Sequence, residues 1–391
     1  MISKIYCFIK MMGVLRNIYI CFKYIILKGR CMSDKDVETR RVQRFGKSTL
    51  MVSLPADWVK TVNLKPGDTV TIVVDDDNTL RIFPTFAKPE RRERRLIIRT
   101  SRVINAGLLY KVINSAYILG YDRIIIEVVD GFLDEDHLKT IRKLIKELIG
   151  AEIIEHMPSR VVIQVFIDPT KYSIQGIINR MGSILRSMIN YVFLVILEDK
   201  LHYITEIREL GEELERLNNL ATRQTFVGQI DKMYASSLNL KSYMLPRYRT
   251  ITRSFSLIGE SIVEAADTLS RLSPSDRKLL RSLADELREL MDLYITCVDK
   301  ALSIILEPNI ARAYNTDLLS NELSLHISRF VEKHSDQLKT AENYTQLLEF
   351  MDRFRRTATD ISVVSDVSFD LALEKHEGII DLSVGEALKI V

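Results

Sequence analysis

Along residues 42–54 apolar and polar side chains mostly alternate, as in a strand with one covered face, and the alternation breaks at Phe45-Gly46-Lys47. Gly46 tolerates backbone angles closed to other residues, so a turn or bulge is predicted there. Pro55 predicts a short helix over 56–61, since proline at the first helical position sacrifices no hydrogen bond that the helix needs. Trp58 and Val59 supply its apolar contacts. Lys65-Pro66-Gly67-Asp68 is a turn signal, and residues 69–74 are β-branched. Asp75-Asp76-Asp77-Asn78 predicts a hairpin tip that residues 79–83 close. Those three acids read as a turn rather than a metal cluster, because strand neighbours point to opposite faces and no distant partner accompanies them.

From residue 96 the period changes repeatedly. A strand over 96–99 leads to a helix over 103–119, stopped by Gly120, and then to a strand over 123–129. A second helix over 135–149 is capped at Asp134, and strands near 152–155 and 161–166 complete a small α/β layer. Beyond residue 170 the chain predicts long helices. Ile174, Ile177, Ile178, Met181, Ile184, Leu185 and Met188 form one apolar stripe. Ile204, Ile207, Leu210, Leu214 and Leu217 form the next, and Ile251, Phe255, Ile258, Ile262, Ala265 and Leu269 a third. Residues 279–305, 318–331 and 344–369 follow, with Pro246, Pro274 and Pro308 at boundaries. Six helices in two groups of three predict two three-helix bundles, end to end or side by side. No segment after the N-terminus reads as a spanning helix; the apolar run 191–197 is short.

Composition narrows this picture only at a few points. With 391 residues the chain is long enough for two or three cores, and 27% charged residues fit an ordered protein. The net charge of +3 does not announce a nucleic-acid binder, so any such affinity must come from local clusters. Cys7, Cys21, Cys31 and Cys297 occur singly, which speaks against disulfides or structural zinc and for a reducing compartment. Residues 1–37 form an N-terminal extension cut by Lys4, Lys10, Arg16 and Lys23. Translation from Met32, a membrane-surface helix and a packed helix remain open for it.

The domain expectation is therefore an extension at 1–37, a small β domain at 38–86, a basic linker at 87–95, a small α/β domain at 96–168 and an all-α region at 169–391. In the linker, Arg91, Arg92, Arg94 and Arg95 read equally as a plain junction or as an extended DNA footprint. No glycine-rich phosphate loop is present, and His137 and His156 lack a partnered acid and nucleophile. The expectation is a non-enzyme with no cofactor and no metal.

Arg41-Val42-Gln43-Arg44-Phe45-Gly46-Lys47-Ser48, the Leu54-Pro55-x-x-Trp58 helix start and Leu64-Lys65-Pro66-Gly67-Asp68 recur in order and at the spacing of the AbrB/SpoVT swapped-hairpin family, which residues 38–86 resemble. The resemblance implies two interlaced chains presenting basic residues to DNA. Arg41, Arg44, Lys47 and Ser48 are then the phosphate and groove contacts, with arginine forks suited to clamp phosphate or read guanine. With the α/β layer and helices behind it, the order of parts resembles the archaeal PhoU-like phosphate-uptake regulators. That implies a multidomain fold ending in two PhoU-like three-helix repeats. Such proteins hold metal through paired acids four residues apart, and here the pattern is damaged: Ser256 precedes Glu260 and Arg356 precedes Asp360. Glu206, Glu209 and Glu213, or Glu260, Glu264 and Asp267, remain as solvated faces or a different site. Arg353, Arg355 and Arg356 form a basic patch that either pairs with acids from a neighbouring helix or binds an anion, and the pairing is the expectation.

The function expected from these parts is a cytoplasmic, homodimeric DNA-binding regulator of phosphate uptake. The alternative is an adaptor docking on the ATPase of a phosphate transporter, with the N-terminal module used for dimerisation.

Overall fold

The computed structural model describes residues 38–74, 79–84, 93–101, 104–169 and 171–374. The N-terminal extension, the acidic tip 75–78 and Arg91 and Arg92 of the expected linker lie outside these residues. The chain divides into two compact units, at Met1–Arg92 and Glu93–Val391.

In the first unit, β1 (Gln43–Phe45) pairs antiparallel with β2 (Thr49–Met51), and β3 (Thr71–Val74) with β4 (Leu80–Phe83). The two hairpins are separate two-stranded sheets. Between them Pro55 opens helix α1 (Ala56–Thr61), as the sequence predicts. Gly46 sits at φ 71° in the turn joining β1 to β2, which resolves the choice between turn and bulge.

The second unit begins with a four-stranded sheet ordered β5-β6-β8-β7, from β5 (Arg95–Thr100), β6 (Arg123–Val128), β7 (Ala151–Met157) and β8 (Arg160–Val165). Strands β5 and β6 are parallel and the other pairs antiparallel. Two helices, α2 (Ala106–Ile118) and α3 (Glu135–Glu147), enter through side-chain caps. Asn105 accepts from the amides of Gly107 and Leu108, and Asp134 from that of His137. Such caps satisfy amides that a helix start leaves unpaired. Leu109, Ile113, Ile124, Ile126, Ile141, Leu144, Val161 and Ile163 form the core of this layer. His137 is buried within it with Nε2 2.6 Å from the Ile104 carbonyl, a structural role, whereas His156 is exposed.

Arg95, expected in the linker, starts a strand of this sheet, and Arg94 is tied to the sheet's neighbouring turn. The Arg94 amide donates to Asp122 and its guanidinium lies 4.6 Å from the Tyr121 ring centre, while Arg95 starts β5.

The helical part comprises α4 (Ile174–Glu198), α5 (Tyr203–Ile230), the short α6 (Lys232–Ser237), α7 (Leu245–Arg271), α8 (Pro274–Ser282), α9 (Ala284–Leu306), α10 (Ile310–Lys333), the short α11 (Ser335–Leu338) and α12 (Tyr344–Glu374). The expected helix over 279–305 is two, because the chain turns at Leu283. Helices α4, α5 and α7 pack on one another, as do α9, α10 and α12, and α7 against α12 joins the groups most extensively. One hydrophobic core runs through both. Helix α4 is long and apolar enough to cross a membrane by length and composition, contrary to the sequence reading. Yet 56% of its most apolar window is buried in the bundle.

Helix α5 joins sheet layer to bundle. Residues 218–225 are buried all round, although most are polar. Arg223 reaches out of this stretch to Asp122 at 2.8 Å and donates to the carbonyls of Tyr117 and Tyr121 at 2.6 and 2.8 Å. A buried guanidinium is tolerable only when its charge and its donors are met, and here both are.

Candidate nucleic-acid interface

The hairpin β1–β2 positions the four residues singled out in the sequence. Arg44 is the one carried by a strand; it pairs with Leu50, so both side chains leave the same face. Gln43, Phe45, Thr49 and Met51 share the other face. Arg41 precedes the strand, and Lys47 and Ser48 follow Gly46 in the turn. The hairpin thus strings Arg41, Arg44, Lys47 and Ser48 along β1 into its turn, all exposed, without gathering them on one pleated face. Arg40 is different, because its guanidinium is paired with Glu38. Among the described residues Arg41, Arg44 and Lys47 have no acidic partner, which leaves their charge available to an external anion.

Not one described residue of 38–84 is buried. Phe45, Leu50, Val74 and Leu80 are each about two-thirds exposed, and Val42 and Ile72 more than half. Hairpins of this size are marginal alone, and leaving such side chains in water forfeits about 1.5–3 kcal/mol for each that a partner would bury. The unit therefore carries the apolar surface of a core without the core.

Residues 43–95 match the MazE family model, described as antidote-toxin recognition MazE, bacterial antitoxin. This supports the swapped-hairpin resemblance for the MazE-like region; the remaining chain lies outside the match. Comparisons with curated proteins and with solved structures gave no match.

The helical part contains a second concentration of charge. Glu260, Ser261, Glu264, Arg353, Arg356, Thr359 and Asp360 line a cleft of about 380 Å³ between α7 and α12. Glu260, Arg356 and Asp360 of the two damaged acid pairs fall here. Arg353 crosses to Glu264 of α7 at 2.6 Å, the pairing with a neighbouring helix that the sequence predicts, and contacts Glu349 at 3.1 Å, whereas Arg355 and Arg356 pair with Asp352 on their own helix. Arg253 holds Glu260 at 2.8 Å, and Ser256 donates to Glu215 rather than facing the cleft as a ligand. Asp267 pairs with Arg208, Glu213 with Arg180 and Arg216, while Glu206 and Glu209 are exposed. Among the described residues no group of three His, Cys, Asp or Glu side chains is placed to hold a metal ion. Asp360 is pushed up to about 6 by burial, with Arg253 opposing the shift and Glu260 adding to it. Cys297 is a free, buried thiol pushed up to about 12 by burial, which removes it from thiolate chemistry.

Sequence reasoning missed the Arg223–Asp122 lock. Periodicity carries no signal for it, because Arg223 falls on the face of the helix opposite the stripe from Ile204 to Leu217, where an arginine reads as solvated.

Proposed function

We propose that the chain is a homodimeric DNA-binding regulator whose MazE-like module supplies the DNA contacts. The observation that carries this reading is the coincidence, on one small unit, of an uncovered apolar surface and three cations with no acidic partner among the described residues. A second copy covers the first and doubles the second. Arg41 and Arg44 act as phosphate clamps or guanine readers, Lys47 as a phosphate-facing point charge and Ser48 as a neutral hydrogen-bonding group. We assign no catalytic role, and a cytoplasmic location follows from the DNA contacts.

The link to phosphate uptake rests on the order of parts: a hairpin module, an α/β layer and two groups of three helices resembling PhoU-like regulators. In this reading the helical part senses or docks onto a component of uptake, and its packing biases the spacing of the hairpins. The description of the matched family favours a second reading, an antitoxin-type regulator whose helical part binds a protein partner.

The test is binding of genomic DNA fragments by the full chain across a salt series. The double variant Arg41→Glu/Arg44→Glu is expected to weaken binding at least tenfold and to flatten the salt dependence (about one unit of slope per lost phosphate contact). DNA binding unchanged in this variant contradicts the assignment. No DNA binding by the native chain, with a transporter ATPase co-purifying, establishes the adaptor alternative.

A further inference from the structure

The connection from the first unit reaches the second at Glu93, and the next residue is tied down at once. The Arg94 amide donates to Asp122 Oδ2 at 2.9 Å, and the Arg94 carbonyl accepts from the Asp122 amide at 2.8 Å. The Arg94 guanidinium donates to the Leu119 carbonyl and lies over the Tyr121 ring. The other carboxylate oxygen, Asp122 Oδ1, takes Arg223 of α5 at 2.8 Å. One carboxylate thus joins three segments far apart in sequence. They are the entry of the chain, the turn from α2 to β6, and a long helix of the bundle.

Arg223 makes this join in a polar seam. The two apolar cores of the second unit are separate, one under the sheet and one along the helices. Between them α5 packs on α2 and α3, with the buried, mostly polar run 218–225. Asn218 Oδ1 and Gln224 Oε1 of that run, and Asn114 Oδ1 on α2, have no hydrogen-bond partner among the described residues. Such atoms leave a seam room to exchange partners, which a close-packed core lacks. The Arg223 pair is different, because it is made or lost as a whole. Releasing either charge leaves the other buried without its partner. The same guanidinium donates to the carbonyls of Tyr117 and Tyr121, at the end of α2 where a helix leaves carbonyls to be met.

We propose that Asp122 and Arg223 are positioning residues. They form a latch that holds the sheet layer, and with it the entry of the chain, against α5. The packing state of the helical part then passes to the linker. For its consequence at DNA this rests on the regulator reading above; the latch itself rests on the second unit alone. With the latch closed, α5, the end of α2 and Arg94 move as one body. With it open, Arg94 stays bonded to the sheet layer, and that layer shifts along the seam without the bundle. Neither residue touches DNA in this account. They set where the linker leaves the second unit.

The experiment compares the full chain as wild type, Arg223→Gln and Asp122→Asn, by hydrogen exchange without DNA and by titration with genomic DNA fragments across a salt series. In both variants, residues 117–123 and 218–225 are expected to lose about tenfold more protection than α7 and α12. An equal loss throughout the second unit marks a general loss of stability and overturns the latch, as does unchanged exchange. Should Arg223→Gln not fold, Arg223→Lys, which keeps the charge but loses the fork, is read by the same contrast. DNA affinity is expected to shift about threefold or more while the salt slope stays that of the wild type, since no phosphate contact is removed. A slope flattened by Arg223→Gln makes that arginine a phosphate contact and overturns its positioning role. Local exchange that rises with no change in affinity overturns the passage to the linker. A wild-type chain that binds no DNA, with the exchange contrast present, overturns the regulator reading and leaves the latch standing.

Discussion

The two units treat the same kind of side chain in opposite ways. In the first, valines, leucines and a phenylalanine at strand positions stand in water, and no described residue is buried. In the second, one core runs through the helices from α4 to α12 and even buries a polar run, 218–225, by wrapping it on every side. Sequence pattern alone makes both look equally ready to fold. The difference is size: a few short strands have no interior, whereas helices of more than twenty residues make one from their neighbours. The small unit thus leaves its apolar surface uncovered, and the large one buries most of its own.

The largest expected effect tests that completeness. Arg223→Met removes the charge partner of Asp122 and the donor to two carbonyls in a buried junction and is expected to cost about 3–5 kcal/mol, read as a shift in the denaturation midpoint of the second unit. An unchanged midpoint means that the sheet layer and the bundle are not held by this contact.

Next comes the mirror experiment in the small unit. Leu50→Glu and Val74→Glu replace exposed apolar residues, so the second unit's melting should be unchanged while association is lost. If both variants associate like wild type, the exposed surface has no partner there.

A smaller effect comes from the cleft between α7 and α12. Asp360 is raised in the folded state by burial, so its protonated form is favoured by folding. That contribution is complete below the carboxyl's ordinary range and is lost as the pH climbs through about 6. Arg253 opposes the shift and Glu260 adds to it, and Glu264, Arg353 and Arg356 line the same cleft. Asp360→Asn should therefore stabilise at pH 7.5, by about 1 kcal/mol after solvent screening, with the gain disappearing near pH 4. A gain independent of pH means that the carboxylate is not the cause.

Much of this arrangement was legible in the sequence, and what escaped was tertiary. Gly46 and Pro55 punctuate the chain where their backbone chemistry demands, and the stripes at 174–188 and 251–269 are buried as their spacing requires. Residues 279–305 hid a break at Leu283, because an apolar stripe runs on across a turn that no glycine or proline marks. Arg94 and Arg95 looked like linker because charge reads as solvent until a partner such as Asp122 or Tyr121, distant in sequence, is placed beside it. Arg41, Arg44, Lys47 and Ser48 were legible as exposed groups. Their convergence on one surface, which the proposed dimer would supply, is not something that the period of a single chain encodes.

Hydrogen exchange in 43–51, 71–74 and 80–83 of the full chain, followed from nanomolar to high micromolar concentration, tests the account most directly. Protection of these strands should rise with concentration in step with dimer formation, while protection in α7 and α12 stays constant. Strand protection that is already complete in the dilute monomer, and indifferent to concentration, contradicts the claim that this unit takes its core from a second chain.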